Sequence, residues 1–169
     1  MNVFDFAMEV ERSGRKFYRK LAQSAGAAGV GRIFRMVADD ETELLEKFRD
    51  MKNTVQTTTL QESQTLEQLS GRLKEILDEN RADKIQSDLD AYNYVIEVEK
   101  GLCGLYDEAA RREPDEEVRN LLKRISREER RELAQLEEIH GFVNAPNEFL
   151  AWGEFSNLDE FHNFGRDEG

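Results

Sequence analysis

The sequence predicts an all-α fold: a four-helix bundle with a long crossover between its second and third helices and a short C-terminal helical tail. Three observations carry that prediction. Apolar residues recur at helical spacing in four segments, roughly residues 3–24, 28–52, 86–112 and 115–142. The 169 residues include only two prolines, with 36% charged and 38% hydrophobic positions, a composition that suits long helices with one wet face. The first pair of segments also recurs as the second pair at a fixed offset. "AMEVERSGRKFYRKLA" answers "YVIEVEKGLCGLYDEAA": Glu11 and Glu99 lie 88 residues apart (99 − 11), as do Tyr18 and Tyr106, Ala22 and Ala110, and Glu41 and Glu129.

Each element has its own signals. "SAGAAGVG" separates the first segment from the second, and "REPDEE" separates the third from the fourth, with Pro114 and acids where a helix begins. The hairpins are joined by a crossover of about residues 53–85 that starts polar and threonine-rich, "NTVQTTTLQES". It then becomes a short amphipathic piece with Leu66, Leu69, Leu73, Ile76 and Leu77 on one face. Residues 1–143 are therefore expected to form the bundle. Residues 144–169, with Phe149, Trp152, Phe155, Phe161 and Phe164, are expected to form an aromatic tail packing on the bundle or on a dimer partner.

The buried seams contain an anomaly. Stepping by three and four residues gives Phe4, Ala7, Glu11, Gly14, Tyr18 and Leu21 in the first helix, and Val30, Phe34, Val37, Glu41, Leu44 and Phe48 in the second. The third reads Tyr92, Val95, Glu99, Leu102, Tyr106 and Ala109. The fourth reads Val118, Leu122, Ile125, Glu129, Glu132, Leu136, Ile139 and Val143. Each seam is apolar except at its middle, where a glutamate sits. Counted from their turns, all four lie 14 residues out, about 21 Å at 1.5 Å per residue. They are expected to meet in one layer, with Glu132 one turn further along.

Five unpaired buried carboxylates are more than a domain can carry. The penalty runs to several kcal/mol per ion, against a net stability of about 5–15 kcal/mol. Two divalent cations would nearly cancel the cluster. Protonation within a hydrogen-bonded network is the alternative. Tyr18 and Tyr106, two turns from Glu11 and Glu99, are placed either as core aromatics or as donors that orient a ligand carboxylate.

These motifs resemble the rubrerythrin-type branch of the ferritin-like superfamily. "EVERSGRKFY" and "EVEKGLCGLY" are similar to that family's first and third helices, and "VADDETELLEKF" and "ISREERRELAQL" to its second and fourth. "LAWGEFSNLDEF" is similar to the segment that follows the bundle in many members. The resemblance implies two metal ions, iron foremost, with manganese or a mixed pair as options, and chemistry on peroxide or oxygen or a role in iron handling. It implies a homodimer and places Glu11, Glu41, Glu99 and Glu129 at carboxylate ligand positions. The family's Glu-x-x-His pattern is broken, because Leu44 and Glu132 stand at the histidine positions. Glu132 keeps an oxygen donor and Leu44 keeps none. The helix-3 glutamate that some members carry three residues after the ligand is Leu102 here. With one cysteine there is no rubredoxin-like iron site, so an enzymatic version needs an external electron donor. A non-enzymatic metal buffer, scaffold or partner-binding protein is the alternative.

The remaining features mostly exclude. A net charge of −12 argues against nucleic acid or an anionic membrane as partner. There is no long apolar run and no signal-like start, so a soluble cytoplasmic protein is expected. Cys103 is expected to be a small buried hydrophobe. His140 is expected to sit near the fourth helix's C-terminus and interact with its dipole, and nothing marks His162.

Overall fold

The computed structural model describes the backbone of residues 1–54, 61–78, 80 and 84–163, with side chains as far as residue 145 except 142 and 143. Among these residues all regular structure is helical, in the order α1 Val3–Ser24, α2 Ala28–Thr54, α3 Gln64–Ser70, α4 Leu73–Ile76, α5 Asp88–Arg112 and α6 Glu116–Asn163. Each start has a local cause. The Asn2 side chain accepts from the backbone N–H of Phe4 and Asp5 to open α1, and Ser87 accepts from Asp90 to open α5. Asp115 Oδ1 accepts from Val118 N at 2.9 Å, capping α6 just after Pro114.

The four long helices form two antiparallel hairpins, α1 with α2 and α5 with α6, which meet through α2 against α5 and α1 against α6. Phe4, Phe6, Phe34, Phe48, Leu102 and Leu122 are among the fully buried side chains that fill the space between them. The crossover packs α3 on α1 and α5, and α4 on α5. Leu66, Leu69 and Leu73 are its buried apolar face, as the sequence predicts, but Gly71 and Arg72 break it into two short helices. One buried polar contact fastens it: Ser63 donates to Glu113 at 2.5 Å, tying the start of α3 to the end of α5. Gly101 has a packing role here. A Cβ at that position would come within 2.8 Å of Ile76 Cγ2, so glycine lets α4 lie close on α5.

Three expectations change. The tail helix is the continuation of α6 rather than a separate element, because Pro146 removes one intrahelical donor without ending the helix. His140 consequently lies inside α6 and not near its C-terminus, which withdraws the dipole interaction. Ile139 is 38% exposed and leaves the seam early. The side chains of Phe149, Trp152, Phe155 and Phe161, and all of Phe164, lie outside the described residues, as does the side chain of Val143.

Candidate metal centre

α1, α2 and α6 bring Glu11, Glu41 and Glu129 into the core, where they are 1%, 4% and 5% exposed. α5 brings Glu99 and α6 also brings Glu132, both partly buried. The five side chains lie close enough to perturb one another. Burial, followed by repulsion from Glu11 and Glu99, holds the Glu41 and Glu129 carboxyls well above the usual range. Burial also raises Glu11, although hydrogen bonds from Glu41 and Tyr106 pull it back. Glu99 is pushed up to about 8 by burial, against a lowering hydrogen bond from Tyr18, and Glu132 to about 7 by burial and the Glu11 charge. One glutamate from each long helix, with Glu132 beside them, therefore lies within electrostatic reach of the others, although among the described residues no three such groups stand at ligand distance.

The tyrosines cross between hairpins. Tyr18 of α1 donates to Glu99 Oε1 of α5 at 2.5 Å, and Tyr106 of α5 donates to Glu11 Oε1 of α1 at 2.7 Å. Both rings are fully buried, Tyr18 stacked near Phe34 and Tyr106 edge-on to Phe6. Burial, then the charge of the glutamate each one serves, raises both phenols well above their usual value, so they remain neutral donors. Removing one leaves a buried carboxyl oxygen short of a donor, a loss of about 1–3 kcal/mol. Tyr106→Phe is therefore expected to lower the melting temperature by roughly 5 °C, at about 2–4 °C per kcal/mol for a chain of this size. Thermal denaturation followed by circular dichroism checks it, and an unchanged midpoint would mean the hydrogen bond contributes nothing net.

Gly14 is a residue the sequence reading passed over. A Cβ there would stand 2.7 Å from Glu41 Oε1 and 2.9 Å from its Cδ, so the Glu41 carboxylate occupies the space a side chain on α1 would fill. The signal was present, since Gly14 is a glycine inside a buried helical seam and its partner in the repeat is Leu102.

A cleft of about 520 Å³ opens between α2 and α6 and reaches the cluster. Glu41, Leu44, Glu99 and Glu132 line its inner part, and Asp40, Glu43, Lys47 and Gln135 its exposed part. Leu44, at the position where the family pattern has histidine, is 4% exposed. Lys47 is already held by Glu128 at 3.2 Å. Cys103 is buried, and burial with the Glu129 and Glu99 charges pushes its thiol up to about 12. It stays protonated and inert.

Two observations bear on whether these residues suit metal ions. Glu41 Oε2 and Glu129 Oε1 are buried without a hydrogen-bond partner among the described residues, an unmet demand for positive charge or a donor. As the side chains stand, no three acidic, histidine or cysteine groups among the described residues converge at ligand distance. The carboxylates turn instead to the tyrosines and to one another, as protonated carboxyls do. The donor set suits hard divalent ions by charge and by its all-oxygen chemistry.

Comparison with known proteins comes from one direction. The family model described as Rubrerythrin matches residues 2–140, which spans both hairpins and the crossover. No curated protein and no solved structure matches the chain. No helix among the described residues is long and apolar enough to cross a membrane.

Proposed function

The chain belongs to the rubrerythrin family, ferritin-like proteins that in general bind two iron ions, and from that premise we propose that its carboxylate layer holds two metal ions and acts on peroxide or oxygen or in iron handling. The observation that carries this reading is the cluster itself: one glutamate from each long helix, mutually repelling, with two buried oxygens unpartnered. Glu11, Glu41, Glu99, Glu129 and Glu132 are the ligands in this reading. Iron is the first candidate, with manganese or a mixed pair as options.

Bound redox metals would supply the electrons that reduce an oxidant. The chain's own residues do the rest. Tyr18 and Tyr106 fix Glu99 and Glu11 in orientation through neutral O–H donors. Glu41, resting against Gly14, has no tyrosine and is held by its hydrogen bond with Glu11 and by shape. The apolar wall of Val37, Leu44 and Leu136 keeps bulk water from part of the layer. Residues 1–169 hold one cysteine and so no four-cysteine iron site, and in this reading the electrons come from a donor outside the bundle. A homodimer in the cytoplasm completes the reading.

Gly14→Ala separates shape from stability. Alanine gains about 1 kcal/mol of helix propensity over glycine, which offsets much of the cost of displacing a flexible carboxylate end. The variant is expected to melt within about 3 °C of the native protein yet bind metal roughly tenfold more weakly. Calorimetric titration checks it, and unchanged affinity would show that Glu41 does not need that position.

A second reading is favoured by Leu44, which leaves one side of the layer without imidazole. In that reading the protein is a non-enzymatic metal buffer, scaffold or partner-binding module. Elemental analysis of protein purified without chelator, followed by peroxide turnover with a reductant, decides between them. About two redox metals per chain with turnover supports the first reading. Redox-inactive ions, or none, support the second.

A further inference from the structure

From the shape and charge of the α2–α6 cleft we infer that it is the route by which hydrated divalent cations reach the carboxylate layer, with Asp40 and Glu43 at its mouth drawing them in. The inference rests on the metal-binding reading and adds to it where the ions enter. Asp40 and Glu43 are exposed, Glu132 is half-buried, and Glu41 at the inner end is 4% exposed with an unpartnered Oε2, so carboxylates mark the cleft from solvent to core. Lys47, a cation along the same wall, is engaged by Glu128, which blunts its opposition. The opposite approach is obstructed, because the crossover packs on α1 and α5.

Size supports the same assignment. A water occupies about 30 Å³ in the liquid, so an ion with six waters needs roughly 180 Å³, and the cleft offers about 520 Å³. An ion can therefore travel hydrated and lose its waters only where Glu132, Glu99 and Glu41 replace them. Clefts lined by one sign of charge raise association rates about 10- to 1,000-fold, steeply dependent on salt. A small organic molecule also fits this volume, but its entry would not set the rate of ion uptake.

The test is stopped-flow association of Co²⁺ with the full-length, chelator-stripped protein at low and at physiological salt, followed by cobalt absorption. The double variant Asp40→Asn/Glu43→Gln is expected to slow uptake about tenfold at low salt and to flatten its salt dependence, with the final stoichiometry unchanged. Gln135→Lys, which adds a positive charge at the mouth, should slow uptake again. Glu75→Gln, which removes a charge beside the smaller cleft near α4, controls for net charge and should leave the rate unchanged. Equal rates in all variants would overturn the route while leaving the metal layer intact. So would a loss of stoichiometry in the double variant, which would make Asp40 or Glu43 a ligand. A native protein that takes up no Co²⁺ would overturn the metal reading and the route together.

Discussion

Stripped of metal, the protein is expected to unfold at a lower temperature at pH 8 than at pH 5, and metal is expected to reverse that order. The folded carboxyls of Glu99 and Glu132 lie at about 8 and about 7 against an ordinary 4.5, so the folded state binds protons more tightly than the unfolded chain. A group raised on folding contributes most below its unfolded value, and that contribution fades as pH rises through the folded one. The window is therefore about pH 4.5 to 8. At about 1.4 kcal/mol per pH unit, Glu99 alone accounts for on the order of 3 kcal/mol by pH 7, and Glu41 and Glu129 shift in the same direction. Divalent ions displace those protons, so their stabilisation grows over the same window. At a thousandfold excess over Kd the gain is about 4 kcal/mol, or roughly 8–16 °C for a chain of this size. Melting curves of chelator-treated and metal-loaded protein at pH 5 and 8 check both halves. Coincident curves at pH 8 would mean that protons and hydrogen bonds alone hold the layer.

The second large effect concerns Leu44 and Glu132. The native protein is expected to bind two ions unequally, more tightly on the side served by Glu99, Glu129 and Glu132. On the Glu11 and Glu41 side the position three residues after Glu41 is Leu44, which offers no donor. Oxygen-only shells favour manganese, magnesium and calcium, whereas imidazole suits iron, zinc and copper. Leu44→His is expected to tighten the weaker side at least tenfold and to shift its preference toward iron. Its cost to the empty protein is held down by the cleft, into which the imidazole can reach. Glu132→Ala is expected to weaken the stronger side by tenfold or more. Calorimetric titrations with Mn²⁺ and Co²⁺ measure both. Two equal native sites, or an unaltered titration in Leu44→His, would show that position 44 faces no ion.

Much of this architecture is legible in the sequence because the repeat and the seam state it twice. The four long helices, their turns and the meeting of four glutamates all follow from spacing, which a buried helical face enforces. What escaped belongs to three dimensions. Helical periodicity places Tyr18 near Glu11 on its own face but says nothing of which neighbour the phenol reaches, and it reaches Glu99. Gly14 reads as a weak seam position until the Glu41 carboxylate is seen against it. Asp40, Glu43 and Gln135 read as an ordinary wet face, because the cleft exists only where α2 and α6 part. The tail reads as a separate element, although α6 runs on through Pro146 because one missing donor inside a long helix is survivable.

The crossed tyrosines have a consequence for how such a chain can change over generations. Each half of the duplication carries a hydroxyl whose acceptor belongs to the other half, so a substitution at Tyr18 is felt at Glu99 and one at Tyr106 at Glu11. At these four positions the halves are bound to a common inheritance, since neither can drift without stranding a buried oxygen in its twin. Gly14 and Leu44 are under no such obligation. They lie beside Glu41 in the same hairpin, and their counterparts are Leu102 and Glu132. The repeat is identical at the four positions that answer each other, and it differs at Gly14 and Leu44, whose neighbour Glu41 belongs to their own half.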